Sequence, residues 1–148
     1  MGTHSWTVWI DAPADTIFDI YSDIERFPEW EVGVREVKDV TGPGDQPGTT
    51  YSVRYGPFAS RSEVVEVERP RRLVTTTAGV FGLRARSTSE LAPEAGGTRL
   101  TISFETWWPS RLLGRLLEKA MLNPSTLRRE LANLKALAER EARFGRPE

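Results

Sequence analysis

Two charged residues on one strand-like segment, Arg61 and Glu63, have the types needed for acid–base chemistry. They alternate in phase with Val65 and Val67, so all four side chains are predicted on one face of a strand. An arginine can polarise a carbonyl group and a glutamate can remove an acidic C–H proton, which is the chemistry of aldol cyclisation and dehydration. If this face turns inward, the pair is a catalytic candidate; if it is solvated, the pair is a surface salt bridge.

Aromatic residues are the candidates for lining a ligand pocket, because such pockets are mostly apolar with a few placed polar groups. Tyr51 and Tyr55 flank Val53 on one strand face, so both hydroxyls can project into one space and hold a ligand carbonyl or phenol. The alternative is that these side chains are ordinary core residues. The predicted ligand-binding residues are Trp30, Tyr51, Tyr55, Phe81, Phe104, Trp108 and Met121.

The segment Gly79-Val80-Phe81-Gly82 places two apolar residues between glycines at a predicted hairpin tip. Glycines allow hinge motion, and the apolar pair would otherwise be exposed, so the segment is a candidate lid over a pocket mouth. The alternative is a packed turn.

Composition excludes several classes of site and partner. The chain has no cysteine and one histidine, His4, so no thiolate zinc site is possible and a serine–histidine triad is not expected. We therefore predict no metal and no cofactor. A net charge of −1 gives no reason to expect nucleic acid, and the basic C-terminal residues are interpreted as a solvated helix face. A weaker alternative is a protein-interaction surface there.

The longest apolar runs are far shorter than the ~20 residues that cross a bilayer, so no membrane span is predicted. No basic-then-apolar signal segment opens the chain, since Asp11 and Asp15 interrupt the region, and the predicted location is the cytoplasm.

A length of 148 residues is typical of one domain, so a single domain over 1–148 is predicted. The strands and helices that would position the candidate residues follow one another in a simple order. A strand over 5–11 precedes a short helical hairpin over 13–27. A second strand over 32–40 changes phase in its middle, which indicates a bulge. Five further strands and their turns follow, over 49–55, 59–68, 72–78, 83–91 and 98–108.

Leucines then recur at helical spacing from Leu112 to Leu137, which predicts a long helix over 110–142. Pro124 should kink it or split it in two. Seven antiparallel strands with one apolar face need a cover, and one long helix cannot close on a twisted sheet everywhere. We therefore expect an α+β fold with a cavity of several hundred Å³ between sheet and helix, lined by Tyr51, Tyr55 and Phe104.

Four segments carry a resemblance to a known family: Ile10–Trp30, Glu66-Val-Glu-Arg-Pro-Arg-Arg-Leu73, Gly97-Thr-Arg-Leu-Thr-Ile102 and Leu131–Glu139. The chain resembles the START-related, Bet v 1-like (SRPBCC) superfamily, and within it the polyketide cyclase/dehydrase branch. The resemblance implies a helix-grip fold, a seven-stranded antiparallel sheet around a long C-terminal helix with two short helices after the first strand. It also implies a deep pocket for hydrophobic or polycyclic ligands.

Two functions from different classes follow. The first is a binding protein or carrier for a hydrophobic small molecule, as a monomer or weak homodimer. The second is a cofactor-independent polyketide cyclase or aromatase that uses acid–base residues in the cavity, so enzymatic activity stays open. Because histidine is the commonest general acid–base group, the near absence of histidine favours the first.

Overall fold

The computed structural model describes residues 2–121 and 123–145, with the backbone alone for Val80, Ala120 and Met121. The elements in chain order are β1 (Gly2–Ile10), α1 (Ala14–Ser22), a 3₁₀ turn (Ile24–Arg26), α2 (Phe27–Trp30), β2 (Val34–Lys38), β3 (Thr50–Tyr55), β4 (Phe58–Glu68), β5 (Arg72–Ala78), a 3₁₀ turn (Val80–Gly82), β6 (Arg84–Glu94), β7 (Gly97–Trp107), α3 (Arg111–Met121) and α4 (Pro124–Phe144).

The strands form one antiparallel sheet in the order β1-β7-β6-β5-β4-β3-β2. Consecutive strands from β2 to β7 pair with one another, and β1 pairs with β7. Short turns join the strands from β3 onward, whereas the longer link 39–49 joins β2 to β3. The predicted helix-grip arrangement, with a seven-stranded sheet and a long C-terminal helix, is confirmed.

One face of the sheet, called the inner face below, packs against α1, α2 and α4. Alternation along each strand sends apolar side chains to this face and polar ones to the other. The helices contribute the fully buried Ile17 and Phe18 from α1 and Leu134 and Ala138 from α4. The buried strand residues on this side include Ile10, Tyr51, Val53, Val64, Leu73, Leu91, Leu100 and Ile102.

Polar side chains of α4 hold the segment that joins α1 to β2. The Glu141 carboxylate accepts hydrogen bonds from Arg26, with one oxygen 3.0 Å from Nη1. The Asn133 amide donates to the carbonyl of Trp30 at 3.2 Å, and a Glu130 oxygen accepts from the backbone N–H of Val32 at 3.1 Å. Helix α4 therefore fixes the position of α2 and of the residues that follow it.

Strand β4 carries a bulge that changes its phase. Its pairing with β5 shifts between Val64 and Glu66. Before the shift, Ser62 and Val64 are buried on the inner face; after it, Val67 packs against the core instead. Arg61 and Glu63 therefore do not share a face with Val67. The bulge predicted in the second strand is present, between Val34 and Glu36.

The predicted C-terminal helix is split in two, as Pro124 allows. Asn123 caps α4 by accepting a hydrogen bond from the N–H of Ser125 at 2.9 Å, and Pro124 occupies its first turn. The first of the two helices, α3, differs from the prediction, because its Leu112 and Leu116 are exposed and do not form a buried stripe. In α4, by contrast, Leu131 and Leu134 are buried.

No helix within residues 2–121 and 123–145 combines the length and the hydropathy needed to span a membrane.

Candidate functional site

Two carboxyl groups and three phenols meet at the end of the inner face where α2 passes into β2. We call Glu31, Glu130, Tyr21, Tyr51 and Tyr55 the acid–phenol cluster. Glu31 directly follows α2, and its carboxylate accepts a hydrogen bond from the Tyr55 hydroxyl at 3.4 Å. Loss of water and the nearby charge of Glu130 raise the pKa of Glu31 to about 8.

Glu130 supplies the second carboxyl group from the first turns of α4. Burial raises its pKa to about 7, although the N–H of Val32 opposes the shift by stabilising the ionised form. Both carboxyl groups of the cluster therefore change charge near neutral pH. Two groups tuned to this range are suited to exchanging protons with a bound molecule.

The phenols stay protonated and act as hydrogen-bond donors or acceptors. Burial, with the charge of Glu31 next, raises the pKa of Tyr51 well above its usual value, and the pKa of Tyr55 rises for the same reasons although 38% of that residue remains accessible. Burial also raises the pKa of Tyr21 to about 12, and its oxygen accepts a hydrogen bond from Ser89 at 2.6 Å.

Trp30 brings an unused hydrogen-bond donor to the same region. Trp30 is 4% exposed, and its indole stacks on Tyr21 with ring centroids 5.4 Å apart and meets Phe27 edge-on at 5.9 Å. Within the described ranges, its Nε1–H has no hydrogen-bond partner. A buried donor without an acceptor is uncommon and costs free energy, so an acceptor from a bound molecule would satisfy it.

The inner face beyond the cluster is only partly covered. Side chains of β5 and β6 that point inward, including Thr75, Thr77 and Ser87, remain partly accessible, as does Phe104 of β7. Thr77 exchanges a hydrogen bond of 2.8 Å with the buried Ser62. This part of the sheet is a wall of hydroxyl groups beside an aromatic ring, next to the acid–phenol cluster.

Arg61 and Glu63 lie exposed on the outer face of the sheet, so of the two alternatives for this strand the structure has the solvated one, and a catalytic role for the pair stays a prediction. The reason is the β4 bulge, which separates their phase from that of Val67. Arg61 donates to the hydroxyls of Thr50 at 2.7 Å and Ser52 at 3.0 Å on the neighbouring strand. Both residues line an open groove of about 690 Å³ on this face, together with Thr50, Thr76, Arg84, Arg86 and Trp107.

The other predicted ligand-binding residues are dispersed. Phe104 meets Trp6 edge-on at 5.8 Å on the inner face. Trp108 packs under α3 and lines a separate cavity of about 360 Å³ with Arg111 and Arg115. Phe81, in the left-handed region with φ of 56°, is 54% exposed. The side chain of Met121 lies outside the described residues.

The structure thus brings Trp30, Tyr51 and Tyr55 together and adds Glu31, Glu130 and Tyr21. Neither cavity above is lined by Tyr51, Tyr55 or Phe104, so the interior pocket of several hundred Å³ stays a prediction. Among the described residues, no cluster of histidine, aspartate and glutamate is placed to hold a metal ion.

A model of the family described as polyketide cyclase / dehydrase and lipid transport matches residues 1–139. The chain belongs to this family. None of the curated proteins gives a significant match to the chain.

Several solved structures share the fold of this chain. A Thermobifida fusca protein has a TM-score of 0.75 at 21% identity, over 100% of this chain and 98% of its own. DynU16, a putative protein of the dynemicin biosynthetic locus, has a TM-score of 0.66 at 23% identity, and 98% of this chain covers 48% of it. The Aha1 dimer from Colwellia psychrerythraea has a TM-score of 0.64 at 14% identity, over 99% of this chain and 100% of its own.

Sequence reasoning missed three members of the cluster, and two of them carried a signal. Glu130 falls three residues after Leu127 and four before Leu134, so it lies on the inward stripe of its helix. Tyr21 lies in phase with Ile17 and Ile24. Glu31 follows a helix end in an irregular link, where no periodicity shows which way a side chain points.

Proposed function

We propose that this protein binds a hydrophobic small molecule with carbonyl or hydroxyl groups between the inner face of the sheet and α4. The observation that carries the proposal is the buried, unpartnered N–H of Trp30 beside the acid–phenol cluster. A ligand carbonyl can accept from this indole while its rings contact neighbouring aromatic side chains.

The surroundings of Trp30 support a ligand that is largely apolar with a few polar groups. Phe27 meets Tyr51 edge-on at 5.6 Å, which forms an aromatic wall beside the indole. The hydroxyls of Tyr51 and Tyr55 and the partly accessible threonines of β5 can each bond a ligand oxygen. A flat polycyclic molecule with oxygen substituents combines these two properties.

Replacing Trp30 with phenylalanine tests the proposal, because Trp30→Phe keeps an aromatic ring and removes the donor. Affinity for a hydroxyanthraquinone probe is expected to fall about tenfold, the worth of one hydrogen bond to a buried donor. Fluorescence titration measures the affinity, and native mass spectrometry of the purified protein identifies co-purified ligands.

The matched control is Trp9→Phe, since Trp9 lies on the outer face and its Nε1 donates to the carbonyl of Glu94 at 2.8 Å. Its affinity should equal that of the wild type. An equal loss in both variants, or no loss in Trp30→Phe, would contradict a ligand at Trp30.

The second candidate is a cofactor-independent cyclase or dehydrase, and the two carboxyl groups tuned near neutral pH favour it. Near pH 7 to 8, ionised Glu130 can accept a proton from the carbon between two carbonyl groups. The enolate then forms a bond to a second carbonyl carbon, whose oxygen takes the proton of Glu31. Loss of water from the aldol product completes the reaction without an oxidant or reductant.

Glu31→Gln tests this second candidate. If the protein cyclises a linear poly-β-ketone thioester, turnover measured by mass spectrometry should fall by about 10²–10⁴, the usual worth of a positioned acid or base. Glu63→Gln, the same change on the outer face, should leave turnover unchanged. Loss of turnover in Glu63→Gln alone would place the chemistry in the outer groove.

The protonation of Glu31 has its own readout in the same variant. The folded chain keeps a proton that the unfolded chain releases between about pH 4.5 and pH 8, so the free energy of unfolding should fall as pH rises through that window. Glu31→Gln should reduce this dependence in denaturant titrations, and the part due to Glu130 should remain. This result does not depend on the substrate.

A further inference from the structure

Helix α3 is held in a fixed rotation by two contacts on its inward side. Gly114 lies against Trp108, so closely that a Cβ there would stand 2.7 Å from the indole. Glu118 accepts hydrogen bonds from Thr106 and from the Trp108 indole, the latter at 3.2 Å, and lies 3.6 Å from His4. These contacts determine which side of α3 faces outward.

The outward side is the most apolar part of the helix. Leu112 is 74% exposed, Leu116 is 62% exposed, and Leu113 is 39% exposed. The spacing of Leu112 and Leu116 places them one turn apart at the centre of this side. A helix in a globular protein normally turns such a stripe toward the core, so its exposure indicates an interaction surface.

Exposed aromatic residues also lie near the start of α3. The 3₁₀ turn Val80–Gly82 packs against Pro109, because a Cβ at Gly82 would collide with the proline ring. Phe81 of this turn is 54% exposed and meets Phe58, itself 42% exposed, edge-on at 6.2 Å. The leucines of α3 and these two rings lie on the same end of the molecule.

Basic side chains border the same apolar surface. Arg111, Arg115 and Lys119 are exposed on α3, next to the leucines, and Arg84 is exposed where β6 begins after the Phe81 turn. The one acidic residue of α3, Glu118, points inward. A helix with leucines along one side and arginines or lysines beside them is typical of segments that lie in a membrane surface.

We propose that α3 and the Phe81 turn dock on the surface of an anionic lipid bilayer, with Leu112, Leu116 and Phe81 entering the headgroup region. The charge of the surface distinguishes this partner from a second copy of the chain. Two copies facing each other through α3 would bring like charges together, whereas anionic headgroups complement them. Docking goes beyond the proposed ligand binding and does not depend on it.

Flotation with vesicles tests the proposal on the full chain. Binding to phosphatidylcholine vesicles containing phosphatidylserine should be stronger than to pure phosphatidylcholine, by roughly fivefold for each basic residue near the surface. Leu112→Ser with Leu116→Ser should lower binding by about tenfold or more, since it removes apolar side chains that enter the bilayer. Arg115→Gln with Lys119→Gln should lower binding to the anionic vesicles and leave the neutral ones unchanged.

The control is Phe144→Ser, because Phe144 is 80% exposed at the far end of α4 and lies outside the proposed surface. It should bind vesicles like the wild type. Equal binding to both vesicle types, or no effect of the leucine pair, would overturn the proposal. If the wild type does not bind vesicles but sediments as a dimer, and Leu112→Ser with Leu116→Ser sediments as a monomer, the surface would be assigned to a second copy of the chain instead.

The test of the proposed ligand site is independent of this one. Affinity for the hydroxyanthraquinone probe is measured without lipid, and it should be unchanged in Leu112→Ser with Leu116→Ser.

Discussion

Replacing Arg26 with methionine is expected to lower the free energy of unfolding by about 3–5 kcal/mol, the usual effect of breaking a buried ion pair by removing one partner. The side chains of Arg26 and Glu141 are 9% and 6% exposed, and two hydrogen bonds join them. Hydrogen bonds from the guanidinium to Glu141 and then to Glu29 raise the pKa of Arg26 further above its usual value. Arg26→Met leaves the Glu141 carboxylate buried without its ion-pair partner. Denaturant titration measures the change.

The double variant Arg26→Met with Glu141→Leu separates the loss of the pair from the burial of a lone charge. Because both charges are gone and the apolar replacements can pack, it should recover most of the stability. The matched control is Arg71→Met, which breaks an ion pair with Glu68 whose side chains are 68% and 54% exposed. That change should cost less than about 1 kcal/mol. A loss in Arg71→Met as large as in Arg26→Met would show that burial is not the cause.

The same pair bears on the candidate site, because Arg26 lies four residues before Trp30. The 3₁₀ turn, α2 and the link to β2 contact α4 at three points: Arg26 with Glu141, Trp30 with Asn133, and Val32 with Glu130. Losing the first point leaves the segment that carries Trp30 and Glu31 with two of its three contacts to α4. We therefore expect ligand affinity to fall in Arg26→Met at temperatures where the chain is still folded.

The fold could be predicted because seven segments of the chain alternate apolar and polar residues and are separated by turn residues. Each predicted strand needs a neighbour to pair with, so the assignments support one another. Phase errors arose where one residue interrupts the alternation. In β4, the bulge at Val65 moves the later residues to the opposite face, and the apolar Val67 then gave a false indication that Arg61 and Glu63 point inward. Nothing local in a Val-Val pair marks such a bulge, since its position depends on pairing with β5.

The candidate site was harder to predict, because its polar members come from segments distant in sequence. Tyr51 and Tyr55 could be placed together from one strand. Their carboxyl partners Glu31 and Glu130 meet only after α4 packs across the link that follows α2. A charged glutamate is usually exposed, so the partial burial of both side chains is a consequence of tertiary structure that periodicity does not report.

The leucines of the two C-terminal helices show the same limit. Periodicity predicts a buried stripe in both α3 and α4, yet burial depends on what lies opposite each helix. In α4, Leu134 is fully buried against the core, whereas in α3, Leu112 is 74% exposed. The rotation of α3 is set by the inward contacts of Gly114 and Glu118 with Trp108, and not by burial of its leucines.

Leu134→Ala is therefore expected to lower the free energy of unfolding by about 2–5 kcal/mol, because it removes a fully buried side chain and leaves a cavity between α4 and the sheet. Leu112→Ala is the matched control and should change stability by less than about 0.5 kcal/mol, since its side chain is already in water. Thermal and denaturant unfolding of both variants make the comparison. A large loss in Leu112→Ala would mean that α3 buries its leucine stripe in solution, and it would remove the basis for docking on a bilayer. A small loss in Leu134→Ala would mean that α4 does not form the core of the grip, and the position of Glu130 beside Glu31 would then have no support.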